Sequence, residues 1–349
     1  MNPQPLSMTA QTAFSQVVEV ALSFEHMRSV ADLPGSFVAK SVKGHRYWYF
    51  QYTEPAGVRR QVFVGPDGDA VHALIARAAA PAAAESLGPL VRSAAVLGCA
   101  EILPRHYRVL RRLAEYGFFK AGGVLVGTHA FVAYGNMLGV RWGGADAIRT
   151  QDIDFAHAGK SISLALAPNH KVQTHEAIQS LDMGFLPIAG LAGKTGGAYL
   201  IPKEKEFRLD FLTTIGRSGD APYEHPDLHV TLQPLRFMEY SLENVQQTAL
   251  LSGDSATTVN VPHPARYALH KLIVAGEREG AFQAKSKKDL MQAGLLLSAL
   301  KETRPWEVEE AWADLLRRGK GWAVRAQRGL LALGLQFPDE GFGDWLKAA

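Results

Sequence analysis

Asp152 and Asp154 stand one residue apart in the run Arg149-Thr150-Gln151-Asp152-Ile153-Asp154-Phe155-Ala156. On a β-strand, positions i and i+2 share a face, with Cα atoms roughly 6.5 Å apart. Two carboxylates so placed can bridge divalent ions about 3.5–4 Å apart, which clamps the attacking and leaving oxygens of an in-line phosphoryl or nucleotidyl transfer. A third acid, Asp210, interrupts the apolar run Phe207-Arg208-Leu209-Asp210-Phe211-Leu212. A buried carboxylate without a partner is costly, so Asp210 is expected either to pair, with Arg208 the nearest candidate, or to ligate a metal. Three acids drawn together raise one another's pKa, and a divalent ion reverses that. The bland alternative for the Asp152/Asp154 pair is a solvated strand edge.

Two further groups could handle phosphate. Val124-Leu125-Val126-Gly127-Thr128 reads as a strand that enters a helix through a small turn. Gly127 lets backbone approach a ligand, free N–H groups at a helix start attract phosphate oxygens, and Thr128 is placed to cap that helix. The other group lies on the helical stretch Tyr267-Ala268-Leu269-His270-Lys271-Leu272-Ile273-Val274-Ala275-Gly276-Glu277-Arg278. Lys271 and Arg278 are seven apart and fall near one helix face. An inward lysine can neutralise a triphosphate as a point charge. The competing reading is a solvated face with Lys271 or Arg278 paired to Asp289.

The elements that must hold these groups are coarsely visible. A helix is expected over 8–31, followed by a β-hairpin over 37–64 whose turn spans 54–57. Helices are expected over 70–80, 86–97 and 104–116, with Pro104 suited to a first turn. An α/β pattern follows: a strand at 124–126, a helix at 129–137, the strand bearing Asp152 and Asp154, a helix at 175–181, and strands at 198–201 and 207–212. From residue 263 the chain reads as helices over 263–279, 287–300, 305–318 and 322–333. Three regions result: an N-terminal helical region with a β-hairpin (1–100), a core (101–262) and a C-terminal helical domain (263–349).

Gly127-Thr128, Arg149-Thr150-x-Asp152-Ile153-Asp154-Phe155 and Arg208-Leu209-Asp210-Phe211 together resemble the bacterial polymerase-β-like nucleotidyltransferase superfamily. Lys271-Leu272, Arg278 and Lys288-Asp289-Leu290 resemble the helical motifs of its abortive-infection, type IV toxin-like branch. The likeness covers roughly residues 104–300. Val126 stands where the branch has its first glycine, Gly122-Gly123 precedes the strand, and the long gap from Thr128 to Asp152 implies an insertion around 139–147. The resemblance implies an α+β fold: a small mixed sheet flanked by helices, followed by a helical domain. It further implies that Asp152, Asp154 and Asp210 hold two Mg²⁺ (or Mn²⁺) ions, with Asp210 helping to activate an acceptor hydroxyl. Gly127, Thr128, Arg149, Lys271, Arg278 and Asp289 would then form the nucleotide site. The implied reaction moves an NMP from an NTP, ATP among the candidates, to a tRNA, protein or small-molecule hydroxyl with loss of pyrophosphate.

Other readings of the same motifs fit less well. A sugar transferase also uses Asp-x-Asp but does not call for a third acidic strand followed by a Lys/Asp helical region. A haloacid-dehalogenase phosphatase is disfavoured by Ala156, two residues after Asp154. Gly193-Lys194-Thr195 mimics the end of a phosphate-binding loop, but Ile188 stands where the first glycine is required. A non-enzymatic alternative is a catalytically silent nucleotidyltransferase-fold module that binds nucleic acid. It rests on Lys40, Lys43, Arg46, Arg59 and Arg60 interleaved with Tyr47, Trp48, Tyr49, Phe50 and Tyr52 in the 37–64 hairpin. Packing of those aromatics on neighbouring helices is the plainer explanation.

The totals are consistent with this. With 349 residues, the chain is long enough for two or three domains. A net charge of +3 is too small to imply a nucleic-acid binder by itself. The single cysteine, Cys99, rules out an intrachain disulfide and is expected as a buried thiol in a helical stretch. Residues 1–16 lack a basic, then apolar, leader pattern, and the most apolar region, 72–103, is broken by charges and prolines. A cytoplasmic protein with no membrane span is the expectation.

Overall fold

The computed structural model describes residues 3–27, 35–42, 44–53, 59–79, 84–143, 148, 150–158, 172–189, 195–215, 219–277 and 283–348. Arg149, Arg278, Lys43, the turn at 54–57, Lys194 and much of the 139–147 insertion therefore lie outside the described residues.

The chain begins with β1 (Gln4–Pro5) and a helix at Met8–Met27. β2 (Gly35–Val42), β3 (His45–Thr53) and β4 (Arg59–Pro66) form an antiparallel sheet in the order β2-β3-β4. Three strands replace the expected hairpin because Val42 pairs with His45 around Gly44, whose φ of +81° suits the tight reversal. Two of the basic groups already face rings of the same sheet: Lys40 lies 4.8 Å from the Tyr49 ring and Arg46 lies 5.0 Å from that of Trp48. Helices follow at Asp69–Ala79, Ala84–Val96 and Pro104–Glu115. Cys99 is buried as expected but follows a helix rather than lying in one, with Sγ 3.6 Å from the Ala10 carbonyl oxygen.

The central sheet takes its strands from β5 (Val124–Val126), β7 (Ile153–His157), β8 (Leu186–Ala189), β9 (Thr195–Ile201), β10 (Glu204–Thr214), β11 (Tyr223–His225) and β12 (Val230–Leu235). β6 (Val140–Arg141) instead pairs with β1. β10 is the spine: β7 runs parallel along one edge, while β9 (antiparallel) and then β12 (parallel) cover the other. β5 lies antiparallel outside β7. Along β10, Phe207, Leu209 and Phe211 alternate into the core while Asp210, Leu212 and Thr214 take the opposite face. Phe155 and Phe211 stack on adjacent strands with centroids 5.0 Å apart, and Phe118 meets both edge-on.

Residues 213–262 carry elements that propensity hides. β13 (Gln246–Ser252) and β14 (Ser255–Val261) form a hairpin, and Pro226 and Pro234 mask β11 and β12, since proline reads against a strand. The hairpin packs Ala249 and Leu251 against the Met8–Met27 and Ala84–Val96 helices. Helices then run at Pro264–Glu277, Gln283–Thr303, Pro305–Arg317, Lys320–Gln336 and Phe342–Ala348. The architecture is thus α+β with a C-terminal helical region, as expected. Among the described residues no helix is long and apolar enough to cross a membrane.

Candidate active site

The register of two parallel strands builds the centre of the site. Asp154 on β7 pairs directly with Asp210 on β10. Both belong to the face opposite Ile153, Phe155, Leu209 and Phe211, because those four side chains are committed to the core. Asp152 sits one residue before β7 rather than on it, a correction to the expectation that a single strand carries both acids. The three carboxylates still converge, each offering an oxygen within 4.8 Å of the others. Thr150 donates its hydroxyl to Asp152 Oδ1. Arg208, on β10, reaches Asp210 Oδ1 at 2.8 Å, so Asp210 is paired and part of the cluster at once.

The electrostatics mark this as a cluster that disfavours full ionisation of its carboxyls. Burial, then Asp152 and Asp210, push the Asp154 carboxyl up to about 7, against an opposing pull from Lys271 and Lys288. Burial also raises Asp210, with Arg208 opposing it. The donor set is all carboxylate oxygen, which suits a hard divalent cation such as Mg²⁺ or Mn²⁺.

Gly127 cannot be another residue here. Its φ is +64°, and a Cβ at this position would lie 2.0 Å from Asp154 Oδ2. The turn from β5 into the Gly127–Met137 helix therefore rests directly on the middle acid. Thr128 does not cap that helix: the cap position is Val126 and no side chain bonds there. The Thr128 hydroxyl instead accepts a hydrogen bond from Gln292 Nε2 at 3.3 Å. The Tyr267 hydroxyl lies 2.8 Å from the Gly127 carbonyl oxygen and 3.1 Å from Gln292 Oε1. Two C-terminal helices thereby clasp the turn.

The same helices bring cations. Lys271 forms an ion pair with Asp289 at 2.5 Å, and both side chains are largely buried. Its ammonium also sits 5.0 Å from the Tyr267 ring. The ion-pair alternative for Lys271 and Asp289 is thus realised within the site, not on a solvated face. Lys288 is the group that motif reading left out of the site. Its ammonium is pulled down by burial and pushed back up by Asp152 and Asp154. Lys285 acts on Asp210. Lys285, Lys288, Asp289 and Gln292 occupy i, i+3, i+4 and i+7 of one helix, a single face that helical spacing could have revealed.

A second arrangement adjoins Asp152. His106 Nδ1 and His129 Nε2 lie 3.0 Å apart, both rings buried. Burial, with Arg105 acting in the same direction, lowers His106 to about 4, while burial and His106 lower His129 to about 3. The two rings line a cavity of about 510 Å³ that also touches Thr150 and Gln151.

A parallel-strand pair of acids, a third acid at the mouth of one strand and a glycine turn laid over them define a nucleotidyl-transfer class of core. The family comparison agrees. A family model described as nucleotidyltransferase matches residues 105–317, and the chain belongs to that family. Among solved structures, an antigenic nucleotidyltransferase-like protein from Paracoccidioides brasiliensis is 15% identical, covering 66% of this chain and 95% of that one, with a TM-score of 0.31. No curated protein matches. The nucleotidyltransferase resemblance holds at the level of the family.

Proposed function

We propose that the chain is a metal-dependent nucleotidyltransferase that moves an NMP from an NTP to a hydroxyl acceptor and releases pyrophosphate. The observation that carries this is the convergence of Asp152, Asp154 and Asp210, each with an oxygen within 4.8 Å of the others, in a chain of this family. Asp152, Asp154 and Asp210 would hold two Mg²⁺ or Mn²⁺ ions. Bound there, such ions neutralise phosphate charge and polarise both the attacking and the leaving oxygen. Gly127 lets backbone approach the phosphates, and the Tyr267–Gln292–Thr128 clasp fixes that turn. Lys271 and Lys288 neutralise the triphosphate, with Asp289 holding the Lys271 ammonium in place. An ammonium has three donors, so the pair with Asp289 leaves Lys271 able to contact phosphate. Arg208 orients Asp210 for work on the acceptor hydroxyl. Arg149 and Arg278 complete the nucleotide site in this reading. Catalysis is then positioning and charge neutralisation.

The finer placement near the abortive-infection toxin-like branch is supported by the Lys271-Leu272 and Lys288-Asp289-Leu290 motifs, and a cytoplasmic location belongs to the same proposal. The division at 1–100, 101–262 and 263–349 belongs to the same proposal. The test is incubation with each α-labelled NTP, Mg²⁺ or Mn²⁺, and total tRNA, protein or small-molecule extract. Label transfer by the wild type that vanishes in Asp154→Asn is expected. Nucleic-acid binding through the 35–66 sheet with no transfer from any NTP would instead establish the silent module.

A further inference from the structure

The cavity beside Asp152 has no role in the chemistry above. Its volume of about 510 Å³ sits within the ordinary range for small-molecule sites and is too small for a folded nucleic acid or a protein surface. Ile102, Leu103, Val132, Trp142 and Ile148 supply an apolar wall. Two charged side chains line it, of opposite sign and already engaged: Glu101 accepts from the Gly253 N–H at 2.7 Å, and Arg141 donates to the Gly98 carbonyl at 3.4 Å. Neither a polycation nor a polyphosphate would find a complementary field there.

One feature ties the cavity to the acids. Thr150 lines it and bonds Asp152. His106 and His129 also line it, joined through one nitrogen each. His106 Nε2 and His129 Nδ1 have no hydrogen-bond partner among the described residues. In either tautomer of a neutral pair, one free nitrogen carries a proton and the other a lone pair. The lysines that would receive the leaving pyrophosphate come from Pro264–Glu277 and Gln283–Thr303, and no residue of either helix lines the cavity.

We propose that this cavity seats the acceptor, and that the acceptor is a small, uncharged, largely apolar or aromatic alcohol or phenol. The acceptor role rests on the nucleotidyltransferase reading; binding in the cavity does not. In the step, the ligand's hydroxyl oxygen bonds to the α-phosphorus and its O–H bond breaks. The bond from that phosphorus to the α,β-bridging oxygen breaks, pyrophosphate leaves with the electron pair, and the proton passes to water.

The test measures 2-naphthol binding to the full chain by fluorescence, without metal or nucleotide, against kanamycin and the trinucleotide CCA. Val132→Trp should weaken 2-naphthol at least tenfold while ATP affinity, measured separately with Mg²⁺, is unchanged; Asp154→Asn should bind 2-naphthol as the wild type does. Ile148→Trp, at a position 41% exposed where a larger side chain is tolerated, should act in the same direction and stands in should Val132→Trp fail to fold. The proposal is overturned by absence of 2-naphthol binding, by tight binding that neither tryptophan weakens, or by preferential binding of kanamycin or CCA. Loss of ATP affinity in the tryptophan variants would overturn it too, by marking the cavity as a nucleobase seat. Since no catalysis is needed, inactivity towards every NTP would sink the transferase reading while leaving the binding result standing.

Discussion

The histidine pair adjoins the acid cluster, and burial drives the two in opposite directions. Both are polar groups taken out of water, where the charged form is disfavoured. For Asp154 that means a carboxyl raised to about 7, because two more acids lie beside it. For His106 and His129 it means imidazoles lowered to about 4 and 3, which stay neutral and share one hydrogen bond. The first arrangement disfavours full ionisation despite Arg208, Lys271 and Lys288. The second is neutral and lines the cavity. A charge cluster beside a neutral polar wall separates the chemistry from the recognition.

The comparison breaks most visibly at Asp154. Asp154→Asn should cut transfer by roughly 10³-fold or more, about 4 kcal/mol of transition-state stabilisation, while the protein folds normally. In metal-free buffer the same change should raise the melting temperature, by roughly 2–4 °C per kcal/mol relieved. A substantial drop in melting temperature would make Asp154 structural and remove the contrast.

Lys271 and Lys288 sharpen it next. Lys271→Met breaks the largely buried ion pair with Asp289 and should cost up to ~3 kcal/mol of stability in denaturant titration. Lys288→Met should cost less stability and weaken NTP binding roughly tenfold, about 1.4 kcal/mol. Equal stability losses with unchanged nucleotide affinity in both variants would place the two lysines outside the nucleotide site.

The pH dependence gives a smaller effect with a definite sign. A carboxyl whose folded pKa exceeds its unfolded value near 4 favours the folded state when protonated. The metal-free protein should therefore lose stability as pH rises from about 4 to 7, and saturating Mg²⁺ should flatten that limb. The histidines run the other way. Their folded pKa values lie below 6.5, so their contribution is intact above 6.5 and is lost as pH falls towards 4. Calorimetry of wild type and Asp154→Asn across pH 4–8 separates the two limbs; parallel curves would show that Asp154 is not perturbed. Smallest of all, NMR should find that neither His106 nor His129 titrates between pH 5 and 8.

Much of this chain can be read without coordinates. Apolar neighbours on both sides of Asp154 and Asp210 can be satisfied only if those residues face one way and the acids the other, so strand periodicity alone puts the acids on the face opposite the core. Helical spacing and prolines mark the C-terminal region in the same manner. Local pattern failed where pairing overrides propensity: β11 to β14 in 213–262, and the third strand at Gly35–Val42. It also assigned Thr128 a capping role that Gln292, 164 residues away, takes from it.

What the sequence by itself determined is the inventory of charges and the faces they must occupy, because periodicity of 2.0 and 3.6 residues is a local property of the backbone. Only the tertiary structure decided which charges meet. The register that sets Asp154 beside Asp210, the approach of Lys288 to Asp152, the bond between His106 and His129 and the cavity beside them all join segments distant in the chain. Such contacts are selected by the packing of the whole core, and no local window of residues contains that information.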